Sequence, residues 1–138
     1  MDDKVSQLEL GSISALFPLV PPSDRTLNST GRTGRENLWC HALAKGFPSL
    51  DERLLVSWSG WFPASLPAEV QGGYAIGHAV ERLRRLRDRI SHHEPILGVN
   101  HRDRLKDVSM LARCVDLGAA HDLRNLDRVR RTLALRPR

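Results

Sequence analysis

Gly73-Tyr74-Ala75-Ile76-Gly77-His78-Ala79-Val80-Glu81-Arg82-Leu83-Arg84-Arg85-Leu86-Arg87-Asp88-Arg89-Ile90-Ser91-His92-His93-Glu94-Pro95 is the stretch on which the fold turns. Ile76, Val80, Leu83 and Ile90 recur at helical spacing on one stripe, with Leu86 at its margin. This spacing predicts an amphipathic helix from about Gly73 to about His93. Pro95 disfavours α geometry at Glu94, so the helix should stop close to His92 and His93. Arg87 falls in the centre of the apolar stripe, four after Leu83 and three before Ile90. A guanidinium there is costly unless it meets a partner or a polar cleft.

Arg87 also precedes His92 by five positions. Arginine binds phosphate oxygens through paired donors and keeps its proton. Histidine moves protons near neutral pH. Together they form a minimal set for breaking a phosphodiester. On a straight helix, however, five residues set the two side chains about 140° apart. Unwinding at the helix end, or a second copy of the chain, would have to close that gap.

Downstream, Asn100 can cap a helix running through Leu117, with Leu105, Val108, Leu111, Ala112 and Val115 inward and Gly118 as its stop. A last helix, about Ala119 to Leu133, offers Leu123, Leu126, Val129 and Leu133. Upstream, a helix is expected from about Asn37 to Lys45, stopped by Gly46, with Leu38, Cys40, Ala42 and Leu43 available for burial. Ser49-Leu50-Asp51-Glu52 reads as a capping box, and Leu50, Leu54, Leu55 and Trp58 then follow a helical period until Gly60 and Pro63. Trp39, Trp58 and Trp61 sit beside apolar positions and read as core or interface anchors. Residues 17–35 carry Pro18, Pro21, Pro22, Gly31 and Gly34 and read as loop, after a short helix over residues 5–16. No alternating strand pattern and no repeat are evident. The expected architecture is an all-α bundle of about four to five helices over residues 36–138, behind a loop-rich segment at 1–35.

With 138 residues the chain is most simply one domain. It has no apolar run approaching the ~20 residues needed to span a bilayer. Its start, Met1-Asp2-Asp3-Lys4-Val5-Ser6, lacks the basic and apolar regions of a secretory signal. Cys40 and Cys114 are isolated, without zinc-ligand spacing or a disulfide framework, so a reducing cytoplasm is expected. Net charge is +5, and 18 of the 21 basic residues are Arg. The charge gathers in residues 81–89 and 121–138, the latter holding six Arg against Asp122 and Asp127. Basic faces of this kind attract polyanions, nucleic acid foremost, although a basic helix face is often only a solvated one.

Arg87-Asp88-Arg89-Ile90-Ser91-His92-His93-Glu94-Pro95-Ile96 resembles the signature of Abi-like proteins, in the HEPN superfamily of all-helical domains. The superfamily is marked by an Arg and a His separated by four to six residues, and Arg87 with His92 matches the four-residue version. Asp88 fills the polar position after the Arg, where Asn is the commoner occupant. Asn37-Leu38-Trp39 through Phe47-Pro48 is similar to a segment upstream of the signature in actinobacterial members. The similarity covers roughly residues 24–100, and only the ten-residue signature is specific. Members are usually longer, with more helix ahead of the signature, so this chain reads as a shortened one.

The resemblance implies a HEPN-like fold and a metal-independent endoribonuclease acting on RNA as a homodimer, with no cofactor. It implies Arg87, His92 and Asp88 as catalytic residues, with His93 the alternative imidazole because a five-residue gap also fits the superfamily. Arg84, Arg85 and Arg89 would hold the RNA. The context implied is phage abortive infection or a toxin restrained by a cognate antitoxin.

Other readings of these residues remain open. His92 can simply cap the helix C-terminus, where a cationic His is favourable. His92, His93 and Glu94 lack the spacing of a metal site, because neighbours on a helix diverge by roughly 100°. For the same reason Ser91 and His92 are no nucleophile pair. His41, His78, His101 and His121 are scattered and read as surface or core residues. The alternative function is a non-catalytic helical module binding RNA, a nucleotide or a protein. A DNA-binding regulator would need a helix-turn-helix, and none is recognisable.

Overall fold

The computed structural model describes residues 10–26, 29–51, 55, 62–63 and 65–136. Its elements are α1 (Leu10–Ser14), α2 (Gly34–His41), a 3-10 turn (Leu43–Gly46), α3 (Ala68–Ser91), α4 (His101–Val115), α5 (Leu117–Leu126) and α6 (Val129–Ala134). The chain is an all-α bundle, as the sequence leads one to expect, and no strand occurs among the described residues. The expected helix over Leu50–Trp58 lies largely outside the described residues, as do Val5–Glu9, Trp58 and Trp61.

The long helix α3 is the spine, and its first half is the seat of the core. Glycine, not bulk, makes that seat. A Cβ added at Gly72 would stand 2.6 Å from Leu50 Cδ2, and one at Gly73 would stand 2.7 Å from Trp39 Cγ. At Gly77 it would stand 2.7 Å from the Pro18 carbonyl oxygen and 2.8 Å from Phe17 Cβ. The bare face therefore admits Trp39 from α2 on one side and the 17–19 backbone on the other. Phe17, Trp39, Ile76 and Cys114 form the buried centre, with Ile13, Leu43, Phe47 and Leu111 packed around it. Phe17, Trp39 and Phe47 contact one another at 5.8–6.4 Å between ring centroids, within the range favoured by tilted aromatic pairs. Leu66, Val70 and Tyr74 form a second cluster at the start of α3.

Side-chain caps set the starts of α2 and α4. Thr33 and Glu36 make a complete capping box on α2, so the helix begins at Gly34, three residues ahead of the expected Asn37. It also ends sooner: Ala42 leaves helical geometry and the chain tightens into the 3-10 turn, where one helix to Lys45 was expected. Asn100 caps α4 as anticipated, its side chain accepting from the Asp103 N–H.

α4 buries a different set of residues from the one its apolar spacing predicts. Val115 is exposed, whereas Asp107 and Cys114 are buried toward α3. Asp107 accepts Arg82 Nε at 2.9 Å and Nη2 at 2.7 Å, a two-pronged clamp between the helices. The Ser49 N–H also donates to the Cys114 carbonyl at 2.9 Å, joining α4 to the loop after the 3-10 turn.

The expected single helix from Ala119 to Leu133 is two helices. Asp116, not Gly118, separates α4 from α5, and its carboxylate accepts the Gly118 N–H at 2.9 Å. Asp127 accepts the Val129 N–H at 2.8 Å and interrupts the run between α5 and α6. In both places a short acidic side chain offers the backbone a turn that competes with helix continuation.

Candidate functional site

The last turn of α3 ends in a fully hydrogen-bonded stop. The His93 N–H donates to the Ile90 carbonyl at 3.2 Å, and the Glu94 N–H donates to the Arg89 carbonyl at 2.9 Å. His93 carries a φ of 54°, in the left-handed region. These bonds and this φ define a Schellman motif with histidine where glycine is usual. A residue with a Cβ pays roughly 1–2 kcal/mol to sit there. Pro95 follows and forbids resumption. His92 occupies the cap position, its N–H bonded to the Asp88 carbonyl at 2.9 Å. Both imidazoles are exposed, and neither makes a side-chain hydrogen bond among the described residues.

Arg87 does not occupy a buried stripe: its side chain is 53% exposed. The stripe that starts at Ile76 leaves the core as α3 proceeds. Ile76 is buried, Val80, Leu83 and Leu86 are half-buried, and Ile90 is 54% exposed. No desolvation cost of the expected kind therefore falls on Arg87. Its Nη1 lies 3.3 Å from Asp88 Oδ1, while the other Asp88 oxygen accepts Arg84. Arg84 in turn grips Glu81 through Nε at 2.8 Å and Nη2 at 2.7 Å. The hydrogen bond from Arg84, opposed by partial burial and joined by one from Arg85, holds the Glu81 carboxyl down to about 2.

The seven sequence-chosen residues thus divide. Arg84, Asp88 and Arg87 are joined in one ionic chain, and Arg85 reaches Glu81 at 3.2 Å. Arg89 lies 3.9 Å from Glu94. His92 and His93 stand apart at the helix end, and no hydrogen bond joins either to Arg87 among the described residues. Of the basic residues chosen to hold RNA, Arg84 is the most committed within the chain. Arg85 and Arg89 remain largely open to solvent.

A second charged cluster escaped the sequence reading. Glu36 is completely buried, and four hydrogen bonds meet its two oxygens. Arg25 donates twice, at 2.9 and 3.0 Å, Tyr74 Oη donates at 2.7 Å and the Thr33 N–H at 3.0 Å. Burial works to raise this carboxyl, but the bonds from Arg25, Tyr74 and Thr33 outweigh it and hold it below the usual range. Burial and the Glu36 bond push the Tyr74 phenol well above its ordinary value. The signal was in the sequence as Thr33-Gly34-Arg35-Glu36, a capping box placed in what was read as the end of a loop. The cluster ties Arg25 and Thr33 to α2 and α3, and it lies at the opposite end of α3 from His92.

Cys114 is fully buried, and burial, with Asp51 nearby, pushes its thiol up to about 11. His41, His78 and His121 are exposed, and a His101 ring nitrogen lies 3.0 Å from the Ile96 carbonyl. Among the described residues no group of three or more His, Cys, Asp or Glu side chains is placed to hold a metal ion, and no helix is long and apolar enough to cross a membrane. Compared with protein-family models, curated proteins and solved structures, the chain matches none.

Proposed function

We propose that this chain is a metal-independent endoribonuclease of the Abi-like type, active as a homodimer whose two α3 ends share one cleft. The observation that carries this reading is the joint exposure of Arg87, His92 and His93 at a rigidly capped helix end. Among the described residues the His92 ring bonds none of the last carbonyls of α3, which leaves it open to a substrate. Ile90 at 54% and Leu97 at 77% exposure flank the same end, and a second copy would cover them.

In the proposed reaction the RNA 2′-oxygen attacks the adjacent phosphorus. His92 takes the 2′-hydroxyl proton, and the 5′-oxygen leaves with a proton from an imidazole of the pair. Arg87 stabilises the charge on the non-bridging oxygens. Asp88, already against Arg87, holds that guanidinium in place. The products are a 2′,3′-cyclic phosphate and a 5′-hydroxyl, and no metal-bound water is needed. A cytoplasmic toxin or phage-defence role, with an antitoxin as restraint, follows from the same resemblance.

One observation favours a second reading, a non-catalytic RNA-, nucleotide- or protein-binding module. Much of the basic charge of α3 is spent within the protein, on Glu81 and Asp88 of the same helix and on Asp107 of α4.

The deciding experiment incubates wild-type and His92→Ala protein with mixed RNA in EDTA and maps the product ends. Cyclic phosphates from wild type, with rates falling by about 10²–10⁴ in His92→Ala, are expected. Equal cleavage by both would move the role to His93 or expose a contaminant. A folded, dimeric wild type that cuts no RNA, or a strict monomer, would favour the binding module.

A further inference from the structure

Viewed down its axis, α4 has three faces. Arg104, Asp107, Leu111 and Cys114 turn toward α3, where Asp107 meets Arg82. Leu105 and Val108 line the contact with α5 and α6. The third face repeats every turn as Arg102, Lys106, Ser109 and Arg113, over about 16 Å at ~1.5 Å per residue. Arg124 from α5 and Arg130 from α6 close over this face, leaving a cleft of about 380 Å³ beside Ser109. A neighbouring cleft of about 340 Å³ shares Lys106 and Arg130 and extends the groove to Arg102. No carboxylate lines either cleft. Lys106 and Arg130 have edge partners in Asp103 at 3.1 Å and Asp127 at 3.7 Å. Arg113 and Arg124 have no acidic partner among the described residues.

From this geometry we infer that the α4–α5–α6 groove is a docking track for the sugar–phosphate backbone of RNA. Cations supplied by three helices in a concave, acid-free lining fit a polyanion. Arginine is suited to paired contacts with phosphate. The lining has no aromatic side chain to stack a base, so contact through phosphates alone, indifferent to sequence, is the mode it supports. The groove is built from helices other than the α3 end, which makes it a second contact with the same strand. The choice of RNA as the polyanion rests on the nuclease reading above.

The test measures binding of a short labelled single-stranded RNA across a salt series in EDTA. Arg113→Ala/Arg124→Ala is compared with a charge-matched control on α2 and the 3-10 turn, Arg35→Ala/Lys45→Ala, all residues being exposed. The groove pair should lower the log–log salt slope by about 1.4, at ~0.7 per phosphate contact on a single strand, while the control stays near wild type. Repeating the two pairs in a His92→Ala background, where the proposed cleavage is absent, reads binding apart from catalysis, and the same selective loss is expected there. If wild type cuts no RNA yet the groove pair still loses binding selectively, the nuclease reading falls and the groove stands. Equal losses in both pairs, no loss in the groove pair, or displacement of RNA by polyglutamate at equal charge would overturn the groove, the last in favour of an acidic protein partner.

Discussion

The two halves of α3 differ as much as two separate helices. From Val70 to Ala79 every residue but Gln71 and His78 is buried, and its glycines lie against Leu50, Trp39, Phe17 and Pro18. From Glu81 to Ser91 it is charged, ion-paired along its own length and open to solvent at Arg87, Arg89 and Ile90. A single continuous hydrogen-bonded rod thus joins a structural half to an exposed one. Charge is present in both but serves opposite ends. The buried carboxylate Glu36 locks a loop onto the structural half, whereas Asp88 and Glu81 hold cations in register on the exposed half.

The largest expected effect falls on the structural half. Glu36→Gln removes the charge that Arg25 and Tyr74 are built around, and breaking a buried pair costs about 3–5 kcal/mol. The lower end applies, since the Arg25 side chain is 20% exposed and can rehydrate. Urea denaturation should show the loss. The Glu36 carboxyl is held low in the folded chain, so its stabilisation is complete above the unfolded value of about 4.3 and is lost as pH falls through the lower folded value. Glu36→Gln should therefore flatten the acid limb of the stability profile. An unchanged midpoint at neutral pH and an unchanged acid limb would break the comparison between the halves.

A smaller loss is expected at Gly77→Ala. Its Cβ would meet the Pro18 carbonyl at 2.7 Å, and a backbone oxygen cannot rotate aside as a side chain can. Overpacking costs about 1–3 kcal/mol, offset in part by the ~1 kcal/mol that alanine gains over glycine in a helix. A thermal melt above the wild-type midpoint would show that the seat has slack.

The smallest effect has the opposite sign and belongs to the exposed half. His93→Gly relieves a left-handed φ of 54° and should raise unfolding free energy by about 1 kcal/mol. Should it destabilise instead, the imidazole of His93 makes a contact worth more than the strain.

The same division explains what was legible in the sequence. The existence of α3, its stop before Pro95 and the Asn100 cap are local signals, and local signals survive folding. The buried half was hidden because Gly72, Gly73, Ala75 and Gly77 carry almost no hydrophobic weight, yet they mark where another backbone or a tryptophan comes close. Periodicity alone put Arg87 inside, because a stripe records which residues share a face but not how far along the helix neighbours extend. The breaks at Asp116 and Asp127 depended on carboxylates capturing backbone N–H groups, a competition that apolar spacing does not register. The exposed signature residues were named from the sequence. The basic track on α4 was not, since Arg102, Lys106 and Arg113 acquire a common purpose only when α5 and α6 fold over them.

Anchored at one end and free at the other, α3 behaves as a cantilever. Beyond the Arg82–Asp107 clamp, from Leu83 to Ser91, it projects about 12 Å at ~1.5 Å per residue, so a tilt of roughly 5° at the clamp swings its tip by about 1 Å. In the proposed reaction a displacement of that size is worth about 10²-fold in rate. In the proposed reaction, leverage of this kind would make the Arg82–Asp107 clamp, and behind it Trp39 and the three glycines, part of what aims His92, although those glycines lie at least about two-thirds of the helix's length away.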